Sequence, residues 1–384
     1  PGAAPDDGAA APPDDGAAAP PDDGAGARAG GTGEVSADEP ESLPWRIRLD
    51  KFVAGQNHLG ETDIVVRANN SETSLNEAVA LELIGRAGLP TQEAIAIRFT
   101  VNGSDEVLRL TIEMPDDAWY EANFDAPGIL YKAEAEGDYS YRGEDLASYA
   151  EAFEIEAGTV EEDWQPLIEF LDFVNNADDD TFAAELGDHL DVDAFADYLA
   201  MQDLVANADD IDGPGNNSYL QYDSESGLLT VVTWDENLAF GGFGGFGGFG
   251  GFGGFGGDLG GTVPNPQGDG TVTPPDRGTL PDGTWPEGAP TDGAPDPTAA
   301  GRRGGWEGGA MGGNVLAERF SENAEFAALV ETRTAELRAQ LYDSGVATEV
   351  LARWTDLLKE QAADLVDAET ITTESDEIAA YFTS

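Results

Sequence analysis

Between Asn207 and Phe240 the chain reads NADDIDGPGNNSYLQYDSESGLLTVVTWDENLAF. Asp209, Asn217 and Asp235 stand there in that order, with Asp235 closing the β-branched run Leu228-Leu229-Thr230-Val231-Val232-Thr233-Trp234. Carboxylate and amide oxygens are the hard ligands that Mg²⁺ takes, and a carboxylate can accept a hydroxyl proton. Phosphoryl transfer needs both. Asn and Asp also favour turns, so on spacing alone an acidic hairpin explains the same residues.

Rival chemistries find less support. Asp210-Ile211-Asp212-Gly213 opens like a calcium loop, but Pro214 takes the fifth position of that register and Gln221 the twelfth. The two histidines, His58 and His189, lie in unrelated contexts, against a triad hydrolase or a histidine metal site. There is no cysteine, which removes disulfides, thiolate catalysis and cysteine zinc sites.

The 384 residues carry 76 acidic and 18 basic side chains, a formal net charge of −58, and the only lysines are Lys51, Lys132 and Lys359. Such a chain repels polyphosphates and anionic membranes, so nucleic acid is excluded as a partner. A high-salt habitat, where salt screens self-repulsion, and a plain GC-rich origin both account for the acidity. No apolar run reaches the length of a membrane span. Residues 1–41 hold an octapeptide repeat, Pro5-Asp6-Asp7-Gly8, Pro13-Asp14-Asp15-Gly16 and Pro21-Asp22-Asp23-Gly24, and read as an extended acidic tether. That composition fits a spacer behind a cleaved export signal or lipid anchor, hence an extracellular or cell-surface location.

Order is expected from Pro44. Trp45 to Leu49 and Asp63 to Arg67 read as strands, and Ser74 with Glu77 forms a capping box for a helix whose apolar residues include Leu75, Val79, Leu83 and Ile84. Gly88 and Pro90 stop it. Ala94–Val101 and Val107–Glu113 pair around Asn102-Gly103. The remainder reads as mostly helical, with helices over Trp164–Asn175, from an Asp193 cap to Val205, over about 314–325, 325–342 and 346–366, and a short one at the end. From Phe240 to Gly257 a phenylalanine recurs every third residue among glycines, a period that suits neither helix nor strand. With the Gly/Pro-rich stretch behind it, 241–313 reads as a disordered insert.

These segments, in this order, resemble the CotH family of atypical protein kinases. The resemblance covers about 44–240 and 314–384. It rests on Arg46 and Arg48 in the first strand and on Gly60 before Val65-Val66-Arg67-Ala68-Asn69-Asn70. Further on stand Ser74-Leu75-Asn76-Glu77 with Ala87-Gly88-Leu89-Pro90, the Val101-Asn102-Gly103 hairpin, Leu110-Thr111-Ile112-Glu113 and Gly128-Ile129-Leu130-Tyr131-Lys132. Leu190-Asp191-Val192-Asp193-Ala194-Phe195 and the Asn207–Phe240 segment complete it. It implies an α+β, atypical protein-kinase-like fold: a small N-lobe sheet with one helix, and a mostly helical C-lobe. By the same resemblance Asp209 is the catalytic aspartate, with Asp210 and Asp212 as competitors, and Asn217 and Asp235 bind Mg²⁺ or Mn²⁺. Arg67, Lys132 and Glu113 are the candidates for contact with ATP, and Glu77 could pair with a phosphate-binding cation. The acceptor would be a Ser or Thr of a secreted or surface protein. An inactive surface binding module and a calcium-dependent adhesive protein are the alternatives. The sequence departs from other phosphate binders in having no GxGxxG loop ahead of its first strands and no Walker motif.

Loop length enters closure entropy only logarithmically, so the insert is expected to be dispensable for folding. Replacing 241–313 by a short Gly/Ser linker should leave the melting temperature within a few degrees. Collapse of the protein on that replacement would place its phenylalanines in the core.

Overall fold

The structure is a computed structural model that describes residues 39–58, 60, 62–134, 137–207, 209–212, 217–241 and 314–383. The expected insert, beyond Gly241, and all but the last three residues of the expected tether lie outside these. Strands β1 (Trp45–Arg48) and β2 (Asp63–Val66) pair antiparallel, Trp45 opposite Val66. Helix α1 (Leu75–Ala87) follows, then β3 (Ala94–Phe99) and β4 (Val107–Glu113), giving a four-stranded sheet in the order β1-β2-β4-β3. Leu75 to Leu81, Leu83 and Ile84 of α1 are all buried. A helix so enclosed must pack on several sides. It lies among the first sheet, the C-terminal helices and the segment after Asp235.

Beyond α2 (Asp117–Asn123), a second antiparallel sheet departs from the expected mostly helical remainder. Its order is β6-β5-β7-β8, with β5 at Gly128–Ala133, β6 at Phe153–Gly158, β7 at Ser218–Asp223 and β8 at Leu229–Thr233. Every residue of β5 is buried, so it shows no alternation to mark it as a strand. Gly128 opens β5 close against the backbone of β7: a Cβ there would collide with the Tyr222 carbonyl oxygen. Three helices separate the halves of this sheet in sequence: α3 (Gln165–Asn176), α4 (Asp179–Glu185) and α5 (Val192–Val205). A second core gathers β5, α3 and α5 around Tyr131, Phe153, Leu171, Phe195 and Leu220.

The chain ends in α6 (Val315–Glu322), α7 (Ala324–Arg338), a π turn at Ala339–Asp343, α8 (Val346–Gln361) and α9 (Ala368–Tyr381). The last is 14 residues long, not short. The whole is α+β, with two small antiparallel sheets and many helices.

Two caps differ from expectation. Asp191, not Asp193, accepts the Ala194 N–H at the start of α5. Ser74 lies in the left-handed region (φ 52°) and makes no capping bond to α1. The loop before α1 is held instead by Glu374 of α9. That carboxylate accepts from the N–H groups of Glu72 (3.0 Å) and Thr73 (3.2 Å), and from the hydroxyls of Ser71 (2.9 Å) and Thr73. The Thr73 hydroxyl oxygen in turn accepts the Leu75 N–H.

Phe240, the first phenylalanine of the Gly/Phe run, belongs to the core. It is buried against Tyr381 and Phe382 with ring centroids 5.6 and 5.9 Å away. Its backbone is left-handed (φ 54°), a conformation a bulky side chain holds only when packing compels it. Phe240→Ala removes that packing and keeps the unfavourable backbone. It should cost about 3–5 kcal/mol in stability, read by chemical denaturation.

Candidate active site

The site grows from the place where β8 stops. Thr233 ends the strand opposite Ser218, and Asp235 takes a left-handed backbone (φ 62°) that turns the chain into the 3₁₀ segment Glu236–Gly241. Aspartate tolerates that conformation better than most residues. Antiparallel pairing puts Asn217, one residue before β7, at the same open end of the β7–β8 hairpin.

Arg67 reaches Asp235 from the end of β2. Its N–H is fixed by the Leu110 carbonyl of β4, and its guanidinium hydrogen-bonds Asp235. Its Nε stands 2.8 Å from the Glu77 carboxylate, as an ion pair, and the group lies over the Trp234 ring at 5.9 Å. All three partners are buried. Burial opposes the arginine charge, but Asp235 and Glu77 hold its pKa above the ordinary value. Glu77 is therefore no capping-box acid. Burial pushes its carboxyl up to about 7 against the opposing pull of Arg67.

A third buried acid, Glu236, adjoins Asp235 and was not singled out by the sequence. Gln202 of α5 donates to it at 2.7 Å, and so does the Thr233 hydroxyl. Burial nevertheless lifts Glu236 to about 7, with Gln202 and Thr233 pulling down and Asp235 adding to the rise. The available signal was the polar Gln202 on an otherwise apolar helix face; buried glutamine needs a partner. Asn76 of α1 was missed too. Its amide donates to the carbonyls of Asn237 (2.6 Å) and Ala239 (3.3 Å), tying α1 to the segment that carries Asp235.

Asp209 lies half-buried in the loop between α5 and β7. The Asn217 amide donates to both its backbone and its carboxylate oxygen, each at 3.0 Å, and its own N–H bonds Asn207 at 3.3 Å. Of the neighbouring acids, Asp210 is buried and raises the Tyr198 phenol, whose shift is chiefly due to burial; Asp212 is exposed.

Lys132 and Glu113 stand apart from the Arg67 network. Lys132 is buried on β5, opposite Tyr219 and thus two residues from Asn217 in register, and its Nζ is 3.9 Å from Glu134. It belongs to a second charged group with Arg46 and Glu156, the latter pair 3.4 Å apart. Burial raises Glu156 to about 7, opposed by Arg46 and Lys132. Glu113 closes β4 and accepts the Glu93 N–H at 2.8 Å.

Among the described residues no group of three or more His, Cys, Asp or Glu side chains is arranged to hold a metal ion. The oxygens of Asp235, Asn217 and Asp209 suit Mg²⁺, which takes one or two carboxylates and fills its octahedron with phosphate oxygens and water.

The chain belongs to the CotH family: the family described as CotH kinase protein matches it over residues 32–378. It is similar to the inner spore coat protein H of Bacillus subtilis (strain 168), with 25% identity over 196 residues. That match takes in 50% of this chain and 53% of the relative, so the chain spans about half the length of the curated relative it matches.

Glu236 offers a titration test. A folded pKa of about 7 against an ordinary 4.5 means that the folded state holds the proton more tightly. Its contribution to stability is complete below the ordinary value and is lost as pH rises through 7. Glu236→Gln removes the dependence. Relative to the parent, the variant should gain on the order of 3 kcal/mol between about pH 5 and pH 8, measured by denaturant midpoints. A constant difference across that range would remove Glu236 as the titrating group.

Proposed function

We propose that the chain is a metal-dependent phosphotransferase with an atypical kinase-like arrangement. It would move the γ-phosphoryl of ATP to a Ser or Thr hydroxyl of a secreted or surface protein. One observation carries this reading: Asp235 and Asn217 share the open end of one hairpin, with Asp209 bonded to Asn217 and Arg67 bonded to Asp235. Family membership and the spore-coat relative support it, and the relative's location supports the surface setting. Among the described residues no helix is long and apolar enough to cross a membrane.

In this reading the first sheet with α1 is the N-lobe, and Asp235 and Asn217 hold Mg²⁺ or Mn²⁺. The metal supplies positive charge against the phosphate oxygens. Asp209, oriented by Asn217, takes the proton of the attacking hydroxyl. The new bond joins hydroxyl oxygen to phosphorus, the bond from phosphorus to the ADP oxygen breaks, and the proton passes from Asp209 to solvent. Arg67 keeps Asp235 and Glu77 in register, and Lys132 is the candidate for phosphate contact beside Asn217. Glu113 would then lie at the nucleotide's edge of the sheet.

Mg-ATP in high salt should raise the melting temperature, and Asp235→Asn should lower the phosphotransfer rate at least about a hundredfold, roughly 3 kcal/mol, with the fold intact. Asparagine keeps the left-handed backbone accessible. A parental rate in that variant would remove Asp235 as metal ligand. Stabilisation by calcium alone would favour the adhesive protein, and no response to Mg-ATP would favour the inactive binding module.

A further inference from the structure

The carboxylate of Glu374 is held by the Ser71–Thr73 loop, more than 300 residues away in sequence. That loop lies between Arg67 and α1, which carries Glu77 and Asn76. Asn76 grips the carbonyls of Asn237 and Ala239, immediately beyond Asp235, and Asn70 of the same loop donates to the Asn237 carbonyl at 3.5 Å. The far end of α9 meets the same segment, through Tyr381 and Phe382 on Phe240. The helix thus touches the Asp235 segment directly at its C-terminal end and, through Glu374 in its middle and α1, indirectly.

We propose that Glu374 is a positioning residue for the Asp235 segment. Its carboxylate fixes the start of α1, and α1 transmits that placement to Glu77, Asn76 and the backbone of 237–239. The carboxylate suits the task. The N–H groups of Glu72 and Thr73, in the turn ahead of α1, and the hydroxyls of Ser71 and Thr73 are four donors, and a charged acceptor with two oxygens binds them all more strongly than a neutral one. The helix dipole adds to the preference for negative charge there. A simple cap would do no more than stabilise α1. The bonds from Asn76 and Asn70 to the 237–239 carbonyls give the cap a second consequence, at the site.

The proposal rests on the phosphotransferase reading for its effect on rate, so its test carries a readout that does not. Glu374→Ala and Glu374→Gln would be compared with the parent by hydrogen exchange and, well below all three melting temperatures, by kinetics with Mg-ATP. Exchange in peptides covering Asn237–Gly241 should quicken at least about fivefold in both variants. Acetate should slow it again in Glu374→Ala by filling the vacated cup. The phosphotransfer kcat should fall at least about tenfold with the KM for ATP little changed. Exchange that quickens only over 71–75, with 237–241 as in the parent, would make Glu374 a plain helix cap and overturn the proposal. Absence of phosphotransfer in the parent would instead count against the functional reading, and the exchange result would still decide the role of Glu374. Glu374→Gln guards against loss of folding in the alanine variant, since it keeps the side-chain length and one acceptor oxygen.

Discussion

A buried guanidinium shared by two buried carboxylates is the constraint around which this molecule is arranged. Arg67 comes from β2, Glu77 from α1 and Asp235 from the end of β8, so one charge ties the first sheet, its helix and the second sheet together. An isolated ion in such surroundings would cost several kcal/mol, and removal of Arg67 would leave both carboxylates without a counter-charge. Three acids crowd near one base once Glu236 is included. Protons on Glu77 and Glu236 therefore relieve the crowding as pH falls toward and below 7.

The same economy of positive charge runs through the protein. With 18 basic residues against 76 acidic ones, cations are scarce, and several are committed to the interior. Arg46 and Lys132 serve the Glu156 group, while Arg109 is buried and donates to the carbonyls of Ser42 and Leu43. Arg98 and Arg333 each gather acidic groups at the exterior. Exposed pairs of that kind contribute little alone and less in salt. Added salt should then weaken these contacts and relieve the general repulsion together, with the second effect the larger in a chain of this charge.

The first sheet and α1 were legible because their signals are local: alternation in β1 and β2, Asn102-Gly103 between β3 and β4, and Gly88 with Pro90 after α1. The end of β8 at Asp235 was legible for the same reason, as a β-branched run followed by acid. The second sheet was harder to see. β5 is buried on both faces and lacks alternation, while Phe153-Glu154-Ile155-Glu156 does alternate but is a short signal beside longer helical patterns. Ser74 and Glu77 fitted a capping box in sequence, yet Glu77 is drawn inward by Arg67, the Leu75 N–H is taken by Thr73, and the loop ahead of α1 is held by residue 374. Glu236, Gln202 and Asn76 were hidden because their roles depend on partners at distances of 34, 31 and 161 residues. Local pattern carries no record of such pairings.

The bond between Glu374 and the Ser71–Thr73 loop also sets an order of events during synthesis. The loop leaves the ribosome some 300 residues before its acceptor does, and contacts of such separation are the slowest to form. Until α9 emerges, the donors ahead of α1 have only water. The nascent chain then holds every candidate catalytic side chain without the bonds that tie the loop ahead of α1 to α9. A product ending short of α9 would share that state, however complete its two sheets.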